Sequence, residues 1–109
     1  MTEWLEIADL ANIPRLGARV VRTPAGDVAV FRTADDSLFA LRDRCPHRGG
    51  PLSEGIVHGT RVTCPLHNWV IELDRGEALA PDRGCVEKFA VRHDGTRVWL
   101  RLDALEGAA

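Results

Sequence analysis

Cysteine is scarce in this chain: Cys45, Cys64 and Cys85 are its three among 109 residues. So few thiols cannot build the disulfide framework of a small secreted domain, and a reducing compartment fits the count. Lysine is scarcer, with Lys88 alone, so arginine carries nearly all the positive charge. No apolar run reaches the roughly 20 residues a membrane helix needs. Met1-Thr2-Glu3-Trp4 shows neither a basic segment nor an apolar signal core, and the expected location is cytoplasmic. Repeats, low-complexity tracts, linkers and amphipathic helices of useful length are also missing. The net charge of -2 gives no reason to expect nucleic acid or an anionic membrane as partner. What remains is ordinary soluble composition, 45% apolar and 28% charged, at a length that suits one domain over 1–109.

Short β-branched or alternating stretches, broken by Gly, Asp and Pro, predict strands at 4–7, 18–23, 28–33 and 38–42. Turn-like connectors at 24–27 and 34–37 separate them. Two further strands, 85–92 and 96–102, flank His93-Asp94-Gly95, a strong hairpin signal. Asp9 to Ile13 can make one helical turn. The expected fold is all-β: an antiparallel β-sandwich or barrel with a small inserted subdomain at about 44–80. That insert is dense in Gly and Pro, with short strands expected at 56–58, 61–64 and 69–73 and a hairpin turn at Gly59-Thr60.

The insert contains Cys45-Pro46-His47 and Cys64-Pro65-Leu66-His67, separated by the sixteen residues 48–63. Cys-x-His followed by Cys-x-x-His resembles the ligand pattern of a Rieske [2Fe–2S] centre, where two thiolates hold one iron and two imidazoles the other. Cys45, His47, Cys64 and His67 are therefore the candidate metal and cluster ligands, one cluster per chain. Pro46 and Pro65 stiffen the loops through a fixed φ. Gly49 and Gly50 let the first loop turn and could aim amide N–H groups at sulfur. A Cys₂His₂ set also suits structural zinc, but zinc fingers pair Cys with Cys and His with His, whereas each segment here mixes them.

Other residues have blander readings. Cys85 is expected as a buried free thiol, His58 and His93 as solvated turn residues, and Trp4 and Trp99 as core. Trp69 either shields the site from water or packs the insert against the larger sheet. Arg44 and Arg48 flank the first ligand segment, as a solvated loop face or as a dock for an acidic partner patch.

The run from Cys45 to His58, then Val62-Thr63-Cys64-Pro65-Leu66-His67-Asn68-Trp69-Val70-Ile71, resembles the small subunit of assimilatory NAD(P)H-dependent nitrite reductase. Gly76-Glu77-Ala78 and Gly84-Cys85-Val86 fit the same pattern. The resemblance implies a one-electron carrier, not catalytic on its own, whose large partner subunit carries FAD, a [4Fe–4S] cluster and siroheme and reduces nitrite to ammonium. High-potential Rieske proteins link their ligand loops by a disulfide; Gly50 and Leu66 hold the corresponding positions here. The expected potential is accordingly near the bottom of the Rieske range of about −150 to +300 mV. The alternative is a free-standing Rieske ferredoxin serving an aromatic-ring-hydroxylating oxygenase. In those ferredoxins a glycine and then an aromatic commonly follow the last ligand, and Asn68-Trp69 departs from that. A non-redox module holding zinc is the third reading.

Overall fold

The computed structural model describes residues 4–24, 26–46, 49–66, 68–80 and 82–105. Within them the secondary structure is β-strand and short 3-10 turns, as the strand-rich sequence predicts. Six strands, β1 (Leu5–Asp9), β2 (Gly17–Thr23), β3 (Gly26–Arg32), β4 (Leu38–Arg42), β9 (Lys88–His93) and β10 (Arg97–Leu105), form one sheet in the order β1-β10-β9-β4-β3-β2. Four short strands, β5 (Ile56–His58), β6 (Arg61–Thr63), β7 (Val70–Glu72) and β8 (Glu77–Ala78), form a second sheet in sequence order. Every ladder is antiparallel. No helix is long and apolar enough to cross a membrane among the described residues.

Strand alternation explains how the sheets come together. On β3, Val28 and Val30 face a core with Leu10, Ile13, Phe89, Val98 and Leu100, inside the curl of the large sheet. Ala29 and Phe31 face the other way, into a second core with Leu41, Leu52, Val62, Ile71 and Leu73. All four β3 residues are fully buried, which is why the strand reads as a continuous apolar run rather than an alternating one. The small sheet therefore covers the outer face of β3 and β4.

Several expectations shift at their edges. The helical turn is a 3-10 turn at Leu10–Asn12, and β9 starts at Lys88 because Cys85 makes only an isolated bridge to Glu77. The predicted turn at 24–27 contains Ala25, outside the described residues; beside it Thr23 pairs with Gly26. Both hairpin turns stand: Gly59 adopts φ 58° and Gly95 φ 94°, conformations glycine enters without a Cβ clash.

Three side chains at the large sheet depart from expectation. Trp4 and Trp99 are only partly buried and lie outside both cores, with Arg92 at 4.5 Å and 5.5 Å from their ring centroids. Cation–π contact on the outer sheet face replaces core packing for both indoles. His93 is half-buried at the end of β9. Gly95 N–H donates to its Nδ1 (3.0 Å), so the neutral ring carries its proton on Nε2 and donates to the Asp36 carbonyl (2.9 Å).

Asp36 is the hub of this end of the molecule. Its carboxylate accepts from Arg15 Nε at 2.8 Å and Arg32 Nε at 2.9 Å, while Arg32 also donates to the carbonyls of Leu10 and Ile13. The hydrogen bonds from Arg15 and then Arg32 hold its pKa down at about 2. A carboxylate depressed in the folded state stabilises above its unfolded pKa of about 3.9 and loses that contribution as the pH falls through the folded value. Asp36→Asn should therefore be less stable than wild type at neutral pH. In urea melts across pH, the difference should shrink between about pH 4 and pH 2; a gap unchanged over that window would show that the charge is not what stabilises.

Candidate metal centre

Cys45 and Cys64 stand at the ends of two different sheets. Cys45 follows β4 by way of Asp43 and Arg44; Cys64 follows β6 directly. Both are buried, at 2% and 0% exposure, and both belong to the core between the sheets. The fold brings both into one buried cluster. Burial above all pushes the Cys64 thiol up; the Leu66 amide pulls against it, and the neighbouring Cys45 adds a smaller upward push. Two buried sulfurs on separate loops are soft donors of the kind that thiophilic metals take. His47, His67 and Arg48 lie outside the described residues.

The two loops share one geometry. Cys45 N–H donates to Gly50 C=O at 2.7 Å, and Cys64 N–H donates to Trp69 C=O at 2.7 Å. Each loop thus closes on the fifth residue after its cysteine. The fourth residue is left-handed in both, Gly49 at φ 73° and Asn68 at φ 60°. Asn is among the few side chains that tolerate this conformation. Asn68 therefore does what glycine would do there, and its departure from the ferredoxin pattern is conformationally conservative.

Supporting contacts anchor the first loop. Asp43 accepts hydrogen bonds from Ser53 N–H at 2.7 Å and Ser53 Oγ at 2.8 Å, tying the end of β4 to the 3-10 turn Leu52–Glu54. Sequence reasoning missed this pair. Its only signal was an acid just before the loop and a serine just after, where such residues close turns. Gly49 N–H bonds the Cys45 carbonyl at 2.8 Å, so it is not aimed at sulfur. Among the described residues an amide that does reach sulfur is that of Leu66, which donates to Cys64 Sγ at 3.4 Å.

Trp69 is half-buried and packs against the core that holds both cysteines, which favours the packing reading. Cys85 is exposed, contrary to the expected buried thiol, because β9 begins only after it. With Cys45 and Pro46 it lines an open cavity of about 460 Å³, whose wall also carries Arg42, Arg44 and Glu87. Arg42 is tied to Glu87 at 2.7 Å, while Arg44 is exposed. His58 is exposed, with Nε2 2.8 Å from Thr63 Oγ1, so the solvated reading stands.

Residues 3–90 match the family of Rieske [2Fe–2S] domains. Over 91 residues the chain is 35% identical to 4beta-methylsterol monooxygenase of Methylococcus capsulatus, covering 73% of this chain and 24% of that protein. It spans only 19% to 29% of the length of the first curated relatives it matches. Solved structures match at nearly full length. A chain of the complex between reduced oxygenase and oxidised ferredoxin of carbazole 1,9a-dioxygenase superposes with TM-score 0.81 at 27% identity, covering 94% of this chain and 95% of that one. A candidate small subunit of NADH-dependent nitrite reductase from Mycobacterium tuberculosis gives TM-score 0.84 at 24% identity, covering 96% and 99%, a likeness of fold.

Proposed function

Since this chain belongs to the family of Rieske [2Fe–2S] domains, we propose that Cys45, His47, Cys64 and His67 hold its single cluster and that it serves as the electron-transfer small subunit of an assimilatory NAD(P)H-dependent nitrite reductase. The observation that carries the ligand reading is the pair of buried cysteines that share one core cluster at the ends of β4 and β6. The donor set fits the group: two soft sulfurs meet in a dry core, with a backbone amide directed at one of them. Bound there, a [2Fe–2S] cluster supplies one reversible electron.

The chain's own residues do the rest. Leu66 N–H offers a hydrogen bond to the negative charge on Cys64 sulfur, and such bonds help to set the potential. The apolar core excludes water from the two thiolates. Arg44, exposed beside the cavity near Cys45, offers a cation to an acidic partner surface. The reading treats residues 1–109 as a single domain whose cluster-binding part is about 44–80.

Leu66-His67-Asn68-Trp69-Val70-Ile71 supports the nitrite reductase assignment, with a large subunit carrying FAD, [4Fe–4S] and siroheme as partner. A free-standing ferredoxin for an oxygenase is favoured by the 27% identity to a chain of the carbazole dioxygenase complex and by the left-handed Asn68, which removes one reason to set the ferredoxins aside. Anaerobic purification should yield iron and acid-labile sulfide in equal amounts with a reduced-state EPR signal of low average g. Zinc without sulfide would overturn the cluster. Co-purification with a siroheme-bearing chain supports the subunit reading; rapid reoxidation by an oxygenase without such a complex reverses it.

A further inference from the structure

The two ligand loops touch at a contact that neither cysteine makes. Gly50 is buried, and no left-handed backbone accounts for a glycine there. Space accounts for it. A Cβ on Gly50 would stand 2.7 Å from Leu66 Cδ1 and 2.9 Å from Leu66 Cγ, so that the Leu66 side chain would have to leave its place, and 3.5 Å from Cys64 Sγ. The Leu66 side chain is thus seated on the first loop's bare backbone. Its main chain serves the second loop, through the N–H donated to Cys64 Sγ. Leu66 remains 43% exposed, so one side packs on Gly50 while part of the residue meets solvent beside a buried sulfur.

We propose that Leu66 is a positioning residue: seated on Gly50, it latches the two ligand loops together and keeps water from the Cys64 sulfur. The inference rests on the reading of Cys64 as a cluster ligand. It assigns separate duties to adjacent glycines, with Gly49 supplying the left-handed turn and Gly50 the seat.

The test is a double-mutant cycle on cluster-loaded protein, with Gly50→Ala, Leu66→Ala and both together, and Leu66→Met as the conservative variant. Two quantities are read: the rate of iron release to a chelator and the midpoint potential. With Leu66 present, Gly50→Ala overpacks the contact and should quicken iron release roughly tenfold, equivalent to about 1.4 kcal/mol. In the Leu66→Ala background the same change should be nearly neutral, the non-additivity expected of residues in contact. Leu66→Ala should raise the midpoint potential, because water admitted to the sulfur favours the more negative reduced state. Leu66→Met should hold it near the native value.

Equal acceleration by Gly50→Ala in both backgrounds, or an unmoved potential in Leu66→Ala, overturns the latch. If Gly50→Ala retains no cluster at all, recovery on adding Leu66→Ala supports the latch and failure to recover overturns it. Wild-type protein that carries no iron and sulfide removes the ligand reading and the latch together. A loaded wild type with additive variants removes the latch alone.

Discussion

Cys64→Ser protein should purify colourless, without the iron and labile sulfide carried by wild type, and Cys45→Ser should do the same. Thiolate sulfur is the soft donor that iron–sulfur clusters require, and a serine hydroxyl is neither soft nor ionised near neutral pH. Both positions are buried, so no solvent-borne donor takes over the vacated place. The substitution changes size little. Leaving a buried hydroxyl without a full set of partners costs about 1–3 kcal/mol, against a stability of about 5–15 kcal/mol for a typical domain. The far-UV spectrum should accordingly stay β-like while the visible bands vanish. Cys85→Ser is the internal comparison: its thiol is exposed, and that variant should keep its full colour. Native iron and sulfide in Cys64→Ser would refute the ligand assignment.

The second large effect concerns folding. Phe31 is fully exposed to neither solvent nor the interior of the large sheet; at 0% accessibility it points from β3 into the core that also contains Cys45 and Cys64. Truncating such a ring removes its transfer free energy and leaves a cavity, together about 3–5 kcal/mol. For a chain of this size each kcal/mol lowers Tm by about 4–8 °C. Phe31→Ala should thus melt well below wild type, by calorimetry or circular dichroism, and lose iron faster at a given temperature. Val30→Ala, one residue away but facing the other core, should cost less and leave iron retention closer to native. An equal effect on iron retention would mean that the second core does not seat the loops.

Much of the architecture was readable because strand and turn chemistry are local. The β4 and β5 bounds coincide with expectation, and the Gly59 and Gly95 turns were marked by their own residues. The spacing of the candidate ligands is likewise a local pattern. What escaped depends on the third dimension. Trp4 and Trp99 look like core residues until β1, β10 and β9 line up with Arg92 between the two indoles. Cys85 looked buried because the strand was expected to begin there, yet the chain around it makes a single bridge to Glu77. Gly50 looked like a turn glycine, and only the packing of Leu66 from another loop distinguishes it from Gly49. Asp43 and Ser53 are ten positions apart, too far for a turn signal to join them.

The cysteines hang from different layers, Cys45 from β4 of the large sheet and Cys64 from β6 of the small one. Among the described strands no ladder joins one layer to the other. Under the proposed ligand set, the inorganic core is then a cross-link that supplements side-chain adhesion between the layers. Iron capture and the closing of the sandwich become thermodynamically linked, so a chelator would act on this protein as a mild denaturant.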